Sequence, residues 1–153
     1  MNIKDYELND EVIMEIGRLA ILWNCFERDF FDNNCNSDKI EGIYNDLSIS
    51  KTAQEKLAKA LNERRSYARQ LISDYVDGGL HPGNARRSKK KHITLMRKFM
   101  EQKGEDLRCG CLLIIYRIRN NLMHGLKHIK ELNGQLELFQ AVNDVLECIK
   151  RLP

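Results

Sequence analysis

Proline is almost missing from this chain. Of 153 residues only Pro82 and Pro153 are proline, and proline is the residue that removes a helical donor and clashes with the preceding turn. Long helices are therefore permitted on both sides of residue 82. A disulfide framework is excluded in a different way: the five cysteines, Cys25, Cys35, Cys109, Cys111 and Cys148, are odd in number and form no C-x-x-C pair. Free, reduced thiols of a cytoplasmic protein are expected. No apolar run approaches the ~18 residues needed to span a bilayer, and the opening MNIKDYELND is acidic where a secretion signal is basic and then apolar. No membrane partner is expected. A Gly-rich phosphate loop, an internal repeat and a clear strand pattern are absent as well.

What remains is a composition of 42% hydrophobic and 31% charged residues, enough to build one compact domain without metal or disulfide staples. Residues 1–153 are read as that single helical domain. Val12, Ile16, Leu19, Trp23, Phe26 and Phe30 recur at steps of four and three, which is one stripe of a long helix from Asp10 to about Phe31. On that stripe Trp23 is a core residue. A weaker helix covers Ser37 to Leu47 with Ser37 as N-cap, and a longer one, capped by Ser50, runs to about Val76. Leu57, Leu61, Ala68, Leu71, Ile72 and Tyr75 form its inner face, before Asp77-Gly78-Gly79 stops it. A short helix is expected over His92 to Gln102 and a buried one from Asp106 to His124, ended by Gly125. Leu136 to Leu152 closes the chain. The expected class is all-α, an antiparallel four- to five-helix bundle with about four main helices.

The charge is uneven. The net value is +3, yet Asn84 to Lys98 holds Arg86, Arg87, Lys89, Lys90, Lys91, Arg97 and Lys98 and no acid, so the rest of the chain sums to 3 − 7 = −4. Residues 78–91 are read as a basic loop, whose Arg86, Arg87, Lys89, Lys90 and Lys91 suit contact with an RNA backbone. His81 and His92 are expected at the surface.

The apolar helix from Asp106 to His124 ends in RIRNNLMHG, with Gly125 as its stop. Arg119 follows Ile115 by four and sits beside Ile118, hence on or next to the buried stripe, where a guanidinium requires an anion or several acceptors. Arg117 lies ~160° away around the axis and more easily reaches water. Asn120 and His124 are i and i+4, so the amide can orient the imidazole. A permanent cation, an orienting amide and an imidazole titrating near neutrality suit a phosphodiester: arginine holds the phosphate and histidine moves the proton.

Arg119-Asn120-Asn121-Leu122-Met123-His124 resembles the R-x4-H signature of HEPN domains (higher eukaryotes and prokaryotes nucleotide-binding). Its place, late in the chain on a helix leading to a final helix, is similar to theirs. The resemblance implies a metal-independent endoribonuclease, active as a symmetric homodimer with a composite site and without cofactors. In such a site Arg119 would stabilise the scissile phosphate and His124 would transfer the proton. Asn120 would fill the polar second position, and 2′-OH attack would leave a 2′,3′-cyclic phosphate. It implies RNA as substrate, a toxin or antiviral role, and an antitoxin or defence-system partner. Arg87 to His92 has the same spacing, and Arg117 to His124 a related one, but only Arg119 follows an apolar helix and is followed by Asn120. Where one branch of the family carries a modifiable tyrosine two residues after the histidine, this chain has Leu126.

Two other readings stand beside it. One is a non-catalytic module that binds RNA or a protein, and the other is a partner that neutralises a toxin. A metal held by His124, His128 and Glu131 is not expected, because Gly125 interrupts the helix between the histidines.

Overall fold

A computed structural model describes residues 1–77, 84–124 and 129–153, with side chains described for 1–73, 90–122 and 129–153. Among the described residues the chain is all-α apart from one two-residue pairing. Its helices are α1 (Asp10–Phe31), α2 (Ser37–Ile43), α3 (Lys51–Asn62), α4 (Arg65–Asp77), α5 (Asn84–Glu101), α6 (Arg108–His124) and α7 (Leu136–Cys148). No helix among them is long and apolar enough to cross a membrane.

The stripe of α1 behaves as the periodicity predicts. Val12, Leu19, Trp23 and Phe26 are buried, while Ile16 and Phe30 pack at the edge of the core. This face meets α7, whose Leu138, Val142 and Val145 are fully buried. A buried polar link helps fix the pair: Asn143 donates from Nδ2 to the Glu15 carbonyl at 3.0 Å and to its carboxylate at 2.7 Å. Helix α7 in turn packs on α3, α3 on α5, and α5 on α6 and α4.

Several boundaries differ from the pattern-based reading. Asn36, not Ser37, caps α2, accepting the Lys39 N–H at 2.9 Å, whereas Ser50 caps α3 as expected, accepting from Ala53 at 3.2 Å. The expected single helix to Val76 is two, turning at residues 63–64 although neither is a breaker. The inner stripe there jumps from Leu61 to Ala68 across exposed Glu63, Arg65 and Ser66. Asn62 Nδ2 holds the corner by donating to the Met100 carbonyl at 2.9 Å. The Tyr75 side chain and residues 78–83 lie outside what is described.

The basic segment is also corrected. Helix α5 begins at Asn84, so residues 84–91 are helical and the loop reading does not hold for them. No glycine or proline follows Gly83 in this stretch, its Ala, Arg and Lys are good helix formers, and buried Ile93, Met96 and Phe99 anchor it. Helix α7 ends at Cys148 and not at Leu152. The tail forms β2 (Lys150–Arg151), antiparallel to β1 (Leu47–Ser48), with Leu47 opposite Arg151. Pairing of segments so far apart in sequence has no signature in so short a segment.

Helix α6 is buried on every side at its start: Cys109 through Ile115 are all buried. Gly110 makes this possible, since a Cβ there would overlap the Leu95 carbonyl oxygen of α5 and lie 3.0 Å from Phe99 Cβ. Propensity alone would make Gly110→Ala stabilising by about 1 kcal/mol. Overpacking against backbone opposes it with about 3 kcal/mol, so urea denaturation of Gly110→Ala should show a net loss of about 2 kcal/mol.

Candidate functional site

Arg119 leaves α6 on the side facing α1. Its side chain is 30% exposed, and the guanidinium carbon stands 5.7 Å from the centre of the Trp23 ring, within cation–π range. Trp23 itself is 1% exposed, in the core as its stripe position predicts. The Trp23 indole N–H donates to the Glu27 carboxylate. The same Glu27 Oε1 lies 4.0 Å from Arg119 Nη2, a loose ion pair. Arg119 Nη1 donates to Asn120 Oδ1 at 3.1 Å. The structure therefore brings Arg119 and Asn120 together and adds Glu27, which sequence reasoning missed. Its signal was present as the i, i+4 spacing of Trp23 and Glu27 on one helix.

Of these groups, Arg119 and Trp23 line a cleft of about 360 Å³. Ile16, Leu19, Ala20 and Trp23 of α1 form one wall, Leu122 of α6 another, and Ile129 and Leu132 of the 3-10 turn Ile129–Gln135 close it. Asn133 ties that turn to the start of α1, accepting the Asn9 N–H at 2.8 Å and donating to the Glu7 carbonyl at 2.8 Å. Apolar walls with one half-exposed cation suit an anion that carries a flat or apolar body. The backbone of α6 continues to His124, while the His124 side chain, Gly125, Leu126 and His128 lie outside the described residues.

The opposite face of α6 is engaged differently. Arg117, expected to reach water, is half-buried and donates from Nε to the Leu71 carbonyl of α4 at 3.3 Å. Asn121 Nδ2 reaches the Tyr67 hydroxyl at 3.5 Å, and burial raises the Tyr67 phenol above its ordinary value. These contacts make Arg117 a brace between α6 and α4. The five cysteines are free. Burial pushes the Cys35 and Cys109 thiols up to about 12, so neither offers a thiolate near neutral pH.

The expected RNA-contact residues divide. Lys90 is exposed on α5, and Lys91 is exposed but paired with Glu41 of α2. The side chains of Arg86, Arg87 and Lys89, like His81, lie outside the described residues. His92 is corrected from surface to core: it is 1% exposed, with Nε2 2.7 Å from Glu41 Oε2. Once α5 starts at Asn84, His92 shares a face with Met96 and Phe99 at i+4 and i+7.

Asp38, Glu41 and His92 each bring one potential metal-ligand atom within 4.8 Å of the others. A cation could use this set only by displacing Lys91 and the His92 contact from Glu41, so the cluster reads as a clamp between α2 and α5. Lys91 first and His92 second hold the Glu41 carboxyl below the usual carboxylate range. A depressed folded value contributes stability above the unfolded pKa and loses it as pH falls through the folded one. Glu41→Gln should therefore cost about 1–2 kcal/mol at pH 7. Its deficit against the parent should shrink below about pH 4, measured as urea unfolding at the two pH values.

With these groups in place, the chain matches no protein-family model, no curated protein and no solved structure.

Proposed function

We propose that the protein is a HEPN-type endoribonuclease, metal-independent and homodimeric, acting as a toxin or antiviral effector. The observation that carries this reading is Arg119. It is a half-exposed guanidinium at the mouth of an apolar cleft, steered by Trp23 and Asn120, on the same helix as His124 and five residues before it. Arg119 would bind the scissile phosphate, displacing the loose Glu27 contact, and His124 would take the 2′-OH proton. A helical bundle closed by a second copy agrees with the outer face of α1. There Met14 and Ile21 are 65% and 66% exposed, and Gly17 has open space around it. Two apolar side chains two turns apart, with a glycine between them, would let a second helix approach closely here.

A non-catalytic RNA- or protein-binding module is the second reading. It is favoured by Glu27, which already offers Arg119 a carboxylate and would leave the arginine a brace between α1 and α6.

Purified protein with EDTA should cleave RNA to 2′,3′-cyclic phosphate ends. Arg119→Ala and His124→Ala should each lower the rate by about 10²-fold or more. Cleavage by His124→Ala equal to the parent would overturn the catalytic reading, and RNA binding without product from the parent would favour the binding module. Ile21→Arg should sediment as a monomer and lose cleavage with it.

A further inference from the structure

A second groove, carrying three arginines and one acid, lies away from Arg119, between α4 and α5. It is a groove of about 650 Å³ lined by Arg65, Arg69 and Ser73 on α4 and by Arg97 on α5, with Ile72 and Met100 among the residues beneath. It shares no lining residue with the Arg119 cleft. Arg65 and Arg69 are i and i+4, ~6 Å apart along one ridge, and Arg97 belongs to the facing helix. All three are exposed and none has an ion-pair partner among the described residues. The acid on this groove, Glu101, is 3.8 Å from Lys103 and so already faces a cation.

Three guanidiniums share this groove with the single acid Glu101, so its net charge is positive. Guanidinium also differs from ammonium in presenting a planar fork of donors matched to phosphate oxygens. Two arginines in series along one wall and a third opposite fit successive phosphates of a strand better than one isolated anion. The aliphatic surface of Ile72 and Met100 offers contact to sugar and base. Gln70 and Asn62 add amide groups at the rim.

We propose that the α4/α5 groove is a binding channel for single-stranded RNA, with Arg65, Arg69 and Arg97 gripping its phosphates. The proposal rests on RNA being the ligand of the protein, but it concerns binding and not cleavage. To the basic residues expected to touch RNA, of which Lys91 has its charge taken up by Glu41, it adds three arginines without an ion-pair partner among the described residues.

The test is fluorescence anisotropy of a short labelled single-stranded RNA, with EDTA present and in His124→Ala protein so that the probe survives. The triple variant Arg65→Gln/Arg69→Gln/Arg97→Gln is compared with a charge control, Lys4→Gln/Lys51→Gln/Lys150→Gln, both checked for helicity by circular dichroism. The triple variant should raise Kd at least about tenfold at low salt and flatten the slope of log K against log salt by about 2, at about 0.7 per phosphate contact. The control should bind nearly as the parent does. Equal weakening by the control, unchanged binding by the triple variant, or no binding by the parent would each overturn the channel. Pyrophosphate binding that exceeds RNA binding and vanishes in the triple variant would overturn it in favour of a small-anion site. Unchanged binding beside active cleavage leaves catalysis standing and removes the channel. Arginine-dependent binding without cleavage does the reverse.

Discussion

The close approach of α6 to α5 at Gly110 is the constraint on which the rest of the architecture depends. Only a residue without a Cβ lets the α6 backbone come against the Leu95 carbonyl. That approach makes it possible to surround the apolar half of α6 completely. Cys109 to Ile115 then present side chains in every direction, and α2, α4 and α5 are drawn around them. A helix buried all round is a rigid post, and its far end is where the polar residues begin.

That far end divides its cations between two neighbours. Arg117 and Asn121 turn toward α4, where a main-chain carbonyl and the Tyr67 hydroxyl receive them. Arg119 and Asn120 turn toward α1, where Trp23 and Glu27 meet the guanidinium. The two arginines thus have different energetic circumstances. Arg117 donates to a partly buried carbonyl and holds two helices together. Arg119 has a π face, a carboxylate at the limit of an ion pair and 30% of its side chain open to water, so an incoming anion has less to displace.

Charge follows the same division. Where α5 passes α2, Glu41 binds both Lys91 and His92, and local positive charge becomes a structural clamp. Where α5 passes α4, Arg97 lines one groove with Arg65 and Arg69, three cations against the single acid Glu101. One basic helix therefore contributes to stability at one contact and presents net positive charge at another. The difference lies in which helix is its neighbour.

The sequence by itself determined the all-α class, the stripes of α1 and α7, the Ser50 cap and the burial of α6, because these depend on local spacing of apolar residues and on the scarcity of proline. It also singled out Arg119 and Asn120, since a cation placed on an apolar stripe is conspicuous in one dimension. Other features were decided only by the tertiary structure. The break of α3 from α4 needs Met100 as a partner for Asn62, the burial of His92 needs Glu41 from α2, and the β1–β2 pairing joins segments about a hundred residues apart. The early start of α5 and the convergence of Arg65, Arg69 and Arg97 belong with them. Each depends on what lies across a gap between elements, and periodicity along one segment carries no information about the residue that will face it.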